Sequence, residues 1–522
     1  MDDRNTLLAA LKNPGAYPHP VDKLEIIETH ISWVILTGPY AYKIKKPVNL
    51  GFLDFSTLEQ RHFYCVEELR LNRRLAPQLY LDVVPITGTL AAPQVGGLGS
   101  IVEYALKLVQ FSQLLRADHL LETGRLSATH IDKLAAVIAD FHHTTAKAPS
   151  DSTYGTPDVV TRPALDNFGY LLQQPLIGHL PLLDTLHAWT VRRCQELRQD
   201  FQQRKTQGYV RECHGDLHLA NIVVLNDSLV PFDCMEFNEQ LRWIDVISDV
   251  AFVCMDLDYR QRPDLSARLL NAYLEISGDY DSVRLMHFYQ CYRAMVRAKV
   301  ISIQRSQMPS SINVSEPQDP FTRYAELAQC YASTKPTFLI ITHGLSGSGK
   351  TWLSQTLLED YGAIRIRSDV ERKRLFNVVA SEKNDLAVGA EFYGSEASTR
   401  TYQQLAKLAS TILGAGYPAI VDAACLKQSQ RDMFRDLAHH LGVPFLIIDI
   451  QSPKPLLQSR ILQRRQTTND ASDADISVLE HQLTTQEMLT DAEQTYTLSL
   501  LNDGDTVCKG LKKELDDRLK LY

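Results

Sequence analysis

Residues 214–233 read His-Gly-Asp-Leu-His-Leu-Ala-Asn-Ile-Val-Val-Leu-Asn-Asp-Ser-Leu-Val-Pro-Phe-Asp. Asp216 and Asn221 stand five positions apart, and Asp233 closes the stretch. Two short apolar runs, 222–225 and 229–232, flank Asn226-Asp227-Ser228, whose residue types tolerate left-handed backbone and favour a turn. A hairpin here brings Asp216, Asn221 and Asp233 toward one place. Two carboxylates and an amide gathered in this way suit phosphoryl transfer from Mg-ATP. One carboxylate takes the proton of an attacking hydroxyl, while the amide and the other carboxylate hold the magnesium. His214 is expected to brace the loop, and His218 is either a plain polar loop residue or a supporting group.

A second constellation lies downstream. Residues 337–343 are a buried-strand pattern that runs straight into Gly344-Leu345-Ser346-Gly347-Ser348-Gly349-Lys350-Thr351, the spacing G-x-x-x-x-G-K-T. In this loop the backbone N–H groups of Gly344, Ser346, Gly347, Ser348 and Gly349 can wrap a phosphate chain. The next helix points its positive end at that chain, Lys350 reaches the outer phosphates, and Thr351 holds magnesium. A second strand, 363–367, ends at Ser368-Asp369. Strand ends in a doubly wound sheet face the ligand crevice, so Asp369 is placed to accept a proton from a hydroxyl and Arg372 to steer an anion. A third strand, 419–421, ends at Asp422, where a carboxylate orders magnesium through water. After a fourth strand, 445–450, the helix 456–465 carries Arg460, Arg464 and Arg465. Arg460 and Arg464 share a face and are expected over the phosphates, the other reading being a solvated basic helix. Residues 469–475 read as a lid tip.

The elements that must position the first constellation are strands over 24–29, 31–37 and 41–44, then a helix over 58–75. Lys43 and Lys45 are two apart on the third strand and share a face. One of them is expected to meet ATP phosphates; otherwise they mark a solvated edge strand. Further strands are expected over 83–90 and 101–106, with 92–100 as the loop between them. A helix over 126–143 ends in His142-His143, for which a structural role is favoured over a metal site. Glu236 either meets a substrate hydroxyl or faces solvent. Arg293, Arg297, Lys299 and Arg305 lie on a helical stretch expected to be a solvated face, the alternative being an anionic groove. Pro-bearing polar segments over 308–336 mark a domain boundary.

A chain of 522 residues is too long for one ordinary domain. Hydrophobic content of 44% and charged content of 22% are those of a globular protein. The net charge of −8 argues against broad nucleic-acid binding. Nine scattered cysteines without a C-x-x-C pair fit a reducing cytoplasm. No secretory leader and no apolar run long enough to span a bilayer is found.

His-x-Asp followed by Asn is also the catalytic-loop pattern of the kinase fold. Its His-Gly-Asp version resembles aminoglycoside phosphotransferases and related small-molecule kinases. That resemblance implies Asp216 as catalytic base and Asn221 and Asp233 as metal ligands. It implies Lys43 as the phosphate-binding lysine, with Lys45 still open, held by Glu68 or else by Glu67. It also implies Asp245 as a brace of the catalytic loop and Glu103-Tyr104-Ala105 as the adenine-binding lobe connection. The glycine-free turn Thr29-His30-Ile31-Ser32 departs from the protein-kinase lid. The second half, through its phosphate-binding loop, Ser368-Asp369, Asp422 and the Arg460 segment, resembles the P-loop kinase group of polynucleotide 5′-kinases, zeta toxins and chloramphenicol phosphotransferase, which implies Asp369 as general base. Together with residues 29–46 and Gly51-Phe52-Leu53-Asp54-Phe55, the chain resembles bacterial fusions of an aminoglycoside phosphotransferase-like domain with an AAA-type ATP-binding domain.

The fold class expected is mixed α/β and α+β: an N-terminal kinase-like bilobal fold over 1–332, a C-terminal P-loop doubly wound parallel-sheet domain over 337–505, and a tail over 506–522. The function expected is a bifunctional phosphotransferase using ATP and Mg2+ on hydroxyl-bearing small molecules. Its rivals are a P-loop ATPase coupled to a kinase-like ligand sensor, and a 5′-hydroxyl kinase of nucleic acid, which is not favoured. No membrane partner is expected.

Overall fold

β-Branched and aromatic residues dominate 25–45, and they pair as strands because their side chains pack well on a pleated surface. After a helix at Asp3–Ala10 (α1), Glu25–Glu28 (β1), Ser32–Leu36 (β2) and Tyr40–Lys45 (β3) run antiparallel. The computed structural model describes residues 3–49, 51, 53–174, 181–306, 319–376, 394–466, 474–503 and 511–520. Leu58–Asn72 (α2) starts with a capping box between Thr57 and Gln60. Tyr80–Thr89 (β4), Ala92–Val95 (β5) and Ile101–Val109 (β6) complete a six-stranded antiparallel sheet ordered β1-β2-β3-β6-β4-β5.

Two expectations change here. The stretch 92–100 is not all loop, since Ala92–Val95 pairs with Ile86–Thr89. Pro93 is tolerated because an edge strand needs no donor on its open side. Glu103-Tyr104-Ala105 lies in mid-strand opposite Ile86, Pro85 and Val84, because apolar alternation and pairing continue to Val109. The lobe connection therefore follows Val109.

Helices then dominate: Ala117–Glu122 (α3), Ala128–Thr144 (α4), Pro157–Leu171 (α5), Pro181–Glu196 (α6) and Arg198–Thr206 (α7). Val210–Glu212 (β7) pairs with Trp243–Asp245 (β10), and Ile222–Leu225 (β8) with Ser228–Pro231 (β9). Asn226 and Asp227 have φ of 49° and 60°, the two left-handed residues of a tight hairpin turn. Val223 and Val230 of that hairpin pack on Tyr80, Leu79 and Leu106 of the large sheet, so one small apolar cluster joins the hairpin to the lysine-bearing sheet. Val246–Tyr259 (α8), Pro263–Ser277 (α9), Val283–Ser306 (α10) and Pro320–Ala332 (α11) follow. The boundary loop expected over 308–318 lies outside the described residues.

Met1–Asp256 with Tyr292–Ala328 form one compact unit, and Leu257–Cys291 with Gln329–Tyr522 form another. In the second unit, Leu339–His343 (β11), Ile364–Arg367 (β12), Ala419–Asp422 (β13), Phe445–Gln451 (β14) and Thr497–Leu501 (β15) form a parallel sheet ordered β12-β13-β11-β14-β15. The connecting helices are Lys350–Tyr361 (α12), Ser368–Leu375 (α13), Ser395–Gly414 (α14), Gln428–Leu441 (α15), Lys454–Gln466 (α16), Ile476–Thr485 (α17) and Asp491–Gln494 (α18), with Leu511–Leu519 (α19) last. The strands are buried on both faces, as in parallel sheets flanked by helices. One face packs Ile340, Ile420, Leu446 and Ile448 on Leu353 and Leu357 of α12 and on Leu515 of α19.

The strand β12 is an edge, and α9 covers it. Asn271 accepts from Arg365 N–H at 2.7 Å and donates to the Ala363 carbonyl at 2.9 Å, standing in for a neighbouring strand. Glu275 pairs with Arg365 and Arg367 beside it. This is why residues 257–291 cluster with the P-loop sheet. Asn271 is buried, so Asn271→Ala orphans a backbone donor and acceptor. The expected cost is about 1–3 kcal/mol, read as an earlier urea-unfolding transition.

Candidate active sites

The catalytic hairpin begins with Gly215 at φ 86°, where a Cβ would lie 2.7 Å from the Leu241 carbonyl oxygen, so glycine is required there. Asp249 accepts from the N–H groups of His214 and Gly215 at 2.8 and 3.0 Å. The brace of the loop is thus Asp249 and not Asp245, which is buried against Arg204 and caps Ile247 N–H. His214 Nδ1 accepts from Asp216 N–H, leaving Nε2–H to donate to the Phe232 carbonyl at 2.9 Å. His214 therefore ties both ends of the hairpin together. His142, Cys213 and Asp249 form a buried group close enough to suggest a metal. Both Asp249 oxygens already serve the loop, and burial pushes the Cys213 thiol well up, so the group reads as structural.

Asn221 donates to the Asp216 carboxylate and carbonyl, both at 3.0 Å, which leaves its own carbonyl oxygen available. His218 lies 3.5 Å from Asp216. Burial pushes the Asp216 carboxyl up, but His218 above all, with His214 and Arg297, holds it well below the usual range. A carboxylate held low in this way suits proton acceptance at neutral pH.

Asp233 has φ of 64°, a left-handed backbone that costs a non-glycine residue roughly 1 kcal/mol or more. Tyr80 accepts from its N–H at 3.1 Å and Asn72 from that of Cys234 at 2.9 Å, which holds the strained turn. Neither Tyr80 nor Asn72 carries a sequence signal. Lys43 donates to Asp233 at 2.6 Å and to Glu68 at 2.8 Å. Lys45 donates to Glu68 at 2.8 Å and pairs with Glu236. The two lysines share a face as expected, and only Lys43 reaches Asp233. Glu68 is buried between them, while Glu67 turns to Arg70 and Arg242. Glu236 neither faces solvent nor is open to a substrate hydroxyl. It is 4% exposed because Lys45 needs a second carboxylate. The oxygens of Asn221 and Asp233 form a hard donor set that fits magnesium. A groove of about 710 Å³ lined by Tyr154, Phe237, Asn238 and Glu239, among others, opens in the same unit without any of these residues.

In the second unit, Gly344 and Gly349 have φ of 143° and 98°. A Cβ on Gly349 would meet Asn502 at 2.3 Å. Lys350 donates to the carbonyls of Gly344 and Leu345 at 3.0 and 2.8 Å, which folds it over the loop. Ser346 N–H is met by Gln482 at 2.9 Å, and Gly347 carbonyl by Arg460 at 3.3 Å. The Ser348 carbonyl accepts from Asn502 at 2.7 Å, and Asn502 accepts from Arg460 at 2.8 Å. Arg460 thus supports the loop through its carbonyls, and Asn502 and Gln482 are site residues that sequence reasoning missed. Asn502 follows β15, a half-polar edge strand whose pattern is weak. The Arg464 side chain and residues 469–473 of the expected lid tip lie outside the described residues.

Thr351 is the second residue of α12, and Asp422 ends β13 in register with Arg367 of β12. Asp422 accepts from Ser354 at 3.0 Å, one turn after Thr351. Asp369 stands in the first turn of α13, beyond the end of β12 and half-buried. These placements gather the P-loop, Asp422 and Asp369 at the carboxyl ends of the strands, and the hydroxyl and carboxylate of Thr351 and Asp422 again suit magnesium.

A two-lobed phosphotransferase site and a P-loop crevice define the class: a kinase-like domain followed by a P-loop kinase-type domain. Residues 60–286 match the model of the phosphotransferase enzyme family, and residues 339–489 match that of an AAA domain. The first match covers the kinase-like part of the chain, and the AAA-type match follows it. Uncharacterized proteins of Mycobacterium tuberculosis and Mycobacterium bovis are 29% identical over 467 residues, 87% of this chain and 89% of theirs. A choline/ethanolamine kinase family protein from Mesorhizobium loti is similar in structure with a TM-score of 0.37, at 12% identity over 63% of this chain and 100% of that one. The Mycobacterium tuberculosis APS kinase, solved with AMPPNP and APS, gives 0.26, at 16% identity over 36% and 98%. The two families support an ATP-dependent phosphotransferase. Among the described residues no helix is long and apolar enough to cross a membrane.

Burial would raise Glu68, yet the ammonium groups of Lys43 and Lys45 hold it below the usual glutamate range. A lowered carboxylate contributes stability above its unfolded value of about 4.3 and loses it as pH falls further. Glu68→Gln is expected to cost about 3–5 kcal/mol at pH 7, because two buried ammonium groups lose their shared partner. It should also flatten the acid limb below pH ~4. Urea unfolding at pH 7 and pH 3 checks both.

Proposed function

We propose that this chain is a bifunctional ATP- and magnesium-dependent phosphotransferase with one active site in each unit, each acting on a hydroxyl-bearing small molecule. The observation that carries this reading is that each unit pairs phosphate-binding groups with a separate carboxylate suited to take a hydroxyl proton. In the first unit Asp216 accepts the proton while the acceptor oxygen attacks the γ-phosphorus. The bond from that phosphorus to the β,γ-bridging oxygen breaks, and ADP leaves. Lys43, steered by Glu68, aligns the phosphates. Magnesium, when held by Asn221 and Asp233, supplies charge neutralisation. In the second unit Asp369 is the base, the loop N–H groups and Lys350 hold the phosphates, and Thr351 and Asp422 are the magnesium groups. Asp369, half-buried in the first turn of α13, favours transfer over simple ATP hydrolysis, because a carboxylate there can take the proton of an acceptor hydroxyl. Nine cysteines outside any C-x-x-C pair fit a cytoplasmic setting.

ATP turnover of wild type, Asp216→Ala, Asp369→Asn and Lys350→Ala, with magnesium and pools of sugars, nucleosides, aminoglycosides and short oligonucleotides, tests the proposal. Asp216→Ala should lower one acceptor-dependent activity by about 10²–10⁴-fold. Asp369→Asn and Lys350→Ala should lower only the other. A single substitution that removes both activities sinks the two-site reading. Turnover that needs no acceptor and depends on Lys350 alone makes the second unit an ATPase.

A further inference from the structure

Residues 257–286 lie inside the stretch that matches the phosphotransferase family, yet they belong to the second unit. They pack where β12 leads into α13. Asn271 of α9 caps the β12 edge, and Glu275 stands one turn further on. The Glu275 carboxylate pairs with Arg367 at 2.8 Å and with Arg365 at 3.2 Å. Its carbonyl accepts from Arg374 at 2.6 Å. That carbonyl is among the last of α9, which a helix leaves without a partner of its own and where a cation is favoured. Arg367 is the N-cap of α13, and Arg374 lies in its last turn. One residue thus ties both ends of the helix whose first turn carries Asp369. Gly278 closes α9 at φ 73°, and a Cβ there would lie 2.6 Å from Arg374 Nε and 2.9 Å from its Cζ. Glycine is required by the backbone and by the guanidinium packed against it. Arg374 also pairs with Glu371, which is buried. Further along, Tyr280 is buried and the His287 ring stacks on Tyr417 at 4.4 Å, just after α14.

We infer that the second active site is composite, with Glu275 as a positioning residue that sets α13, and through it Asp369, in place for transfer. The proposal rests on the phosphotransferase reading of the second unit. The helix α13 has only eight residues. An isolated helix of that length is not stable in water, so its place is decided by what holds it. A base must come within hydrogen-bond reach of the acceptor hydroxyl, and a misplacement of about 1 Å can cost about 100-fold in rate. The glycine-rich loop is held by other residues, Asn502, Arg460 and Gln482. Loss of the Glu275 ties therefore separates two properties. Nucleotide still binds the loop, while transfer to the acceptor falls. The part of the chain matched as an AAA domain, 339–489, does not contain this brace. Residues 257–291, which precede it in the chain, complete the site.

The test uses the full chain and counts only the turnover and the Mg-ADP binding that are lost in Lys350→Ala. Acceptors are the same pools of sugars, nucleosides, aminoglycosides and short oligonucleotides, at saturating Mg-ATP. Glu275→Ala should lower acceptor-dependent turnover by about 10–100-fold and leave the Mg-ADP affinity, read by calorimetry, unchanged. Glu275→Gln keeps an oxygen for one guanidinium and should restore part of the turnover. Gly278→Ala presses on Arg374 at the other end of α13. It should lower turnover in the same way, and it serves where Glu275→Ala does not fold. Hydrogen exchange gives a readout that needs no acceptor: amides of 368–376 should exchange faster in Glu275→Ala, while those of β11 and α12 keep their protection. Unchanged exchange over 368–376 overturns the proposal, and so does unchanged turnover with faster exchange there. Exchange that rises over β11 and α12 as well, with Mg-ADP binding lost, makes Glu275 a support of the whole sheet and also overturns it. In wild type, Lys350-dependent turnover that needs no acceptor, or none at all, overturns the phosphotransferase reading of the second unit and the proposal with it.

Discussion

Glu68 accepts from two ammonium groups, Lys43 and Lys45, at 2.8 Å each, and each ammonium reaches a second carboxylate just after the catalytic hairpin. The result is a line of five charges, Asp233, Lys43, Glu68, Lys45 and Glu236, with one more negative than positive. Buried charges are tolerated only when paired, so the line fixes sheet, helix and hairpin relative to one another within the first unit. Burial pushes the Glu236 carboxyl up against the pull of the Lys45 ammonium. Asp233, 40% exposed, is the end open to a cation. The strained backbone at Asp233 persists because Tyr80 and Asn72 hold it on both sides, and Asn72 also donates to the Glu68 carbonyl.

The corresponding loop of the second unit is shaped by backbone turns instead of a line of buried charges. Left-handed glycines turn the loop; the N–H groups expected to wrap phosphate are met in part within the protein, Ser346 by Gln482, Gly344 by the Ala424 carbonyl and Ser348 by the Leu345 carbonyl, and the loop carbonyls are taken by Arg460, Asn502 and Lys350. Substituting Gly349 would drive a Cβ into Asn502, so the end of β15 limits the loop's shape as much as the loop's own composition does. Beneath the loop, His343 on β11 pairs with Asp449 on β14 at 2.7 Å, which Gln451 and Ser499 also meet.

Several residues changed meaning once their neighbours were known. Glu236 reads as a free carboxylate in the sequence and proves to be the partner of a lysine 191 positions earlier. The resemblance points to Asp245 as the brace, yet Asp249, four residues on, is the one that meets the loop N–H groups. Arg293 looks like a surface charge because a helical arginine carries no mark of burial, yet it is buried and donates to the Gly215 carbonyl and to Ser248. That environment comes from Gly215 and Phe252, which no local pattern connects to it.

The sequence by itself determined the chemistry-bearing motifs: the Asp216, Asn221 and Asp233 spacing, the loop from Gly344 to Thr351, the strand ends at Asp369 and Asp422, and the shared face of Lys43 and Lys45. These are legible because period-2 alternation, turn residues and glycine requirements are local properties of a few consecutive residues. Only the tertiary structure decided which lysine meets Asp233, which aspartate braces the loop, that Asn502 and Gln482 bond to the glycine-rich loop, that α9 caps the edge of the parallel sheet, and that Arg293 reaches the Gly215 carbonyl. Those are long-range pairings of buried polar groups, and their partners are chosen by where packing brings the chain together rather than by the residues on either side.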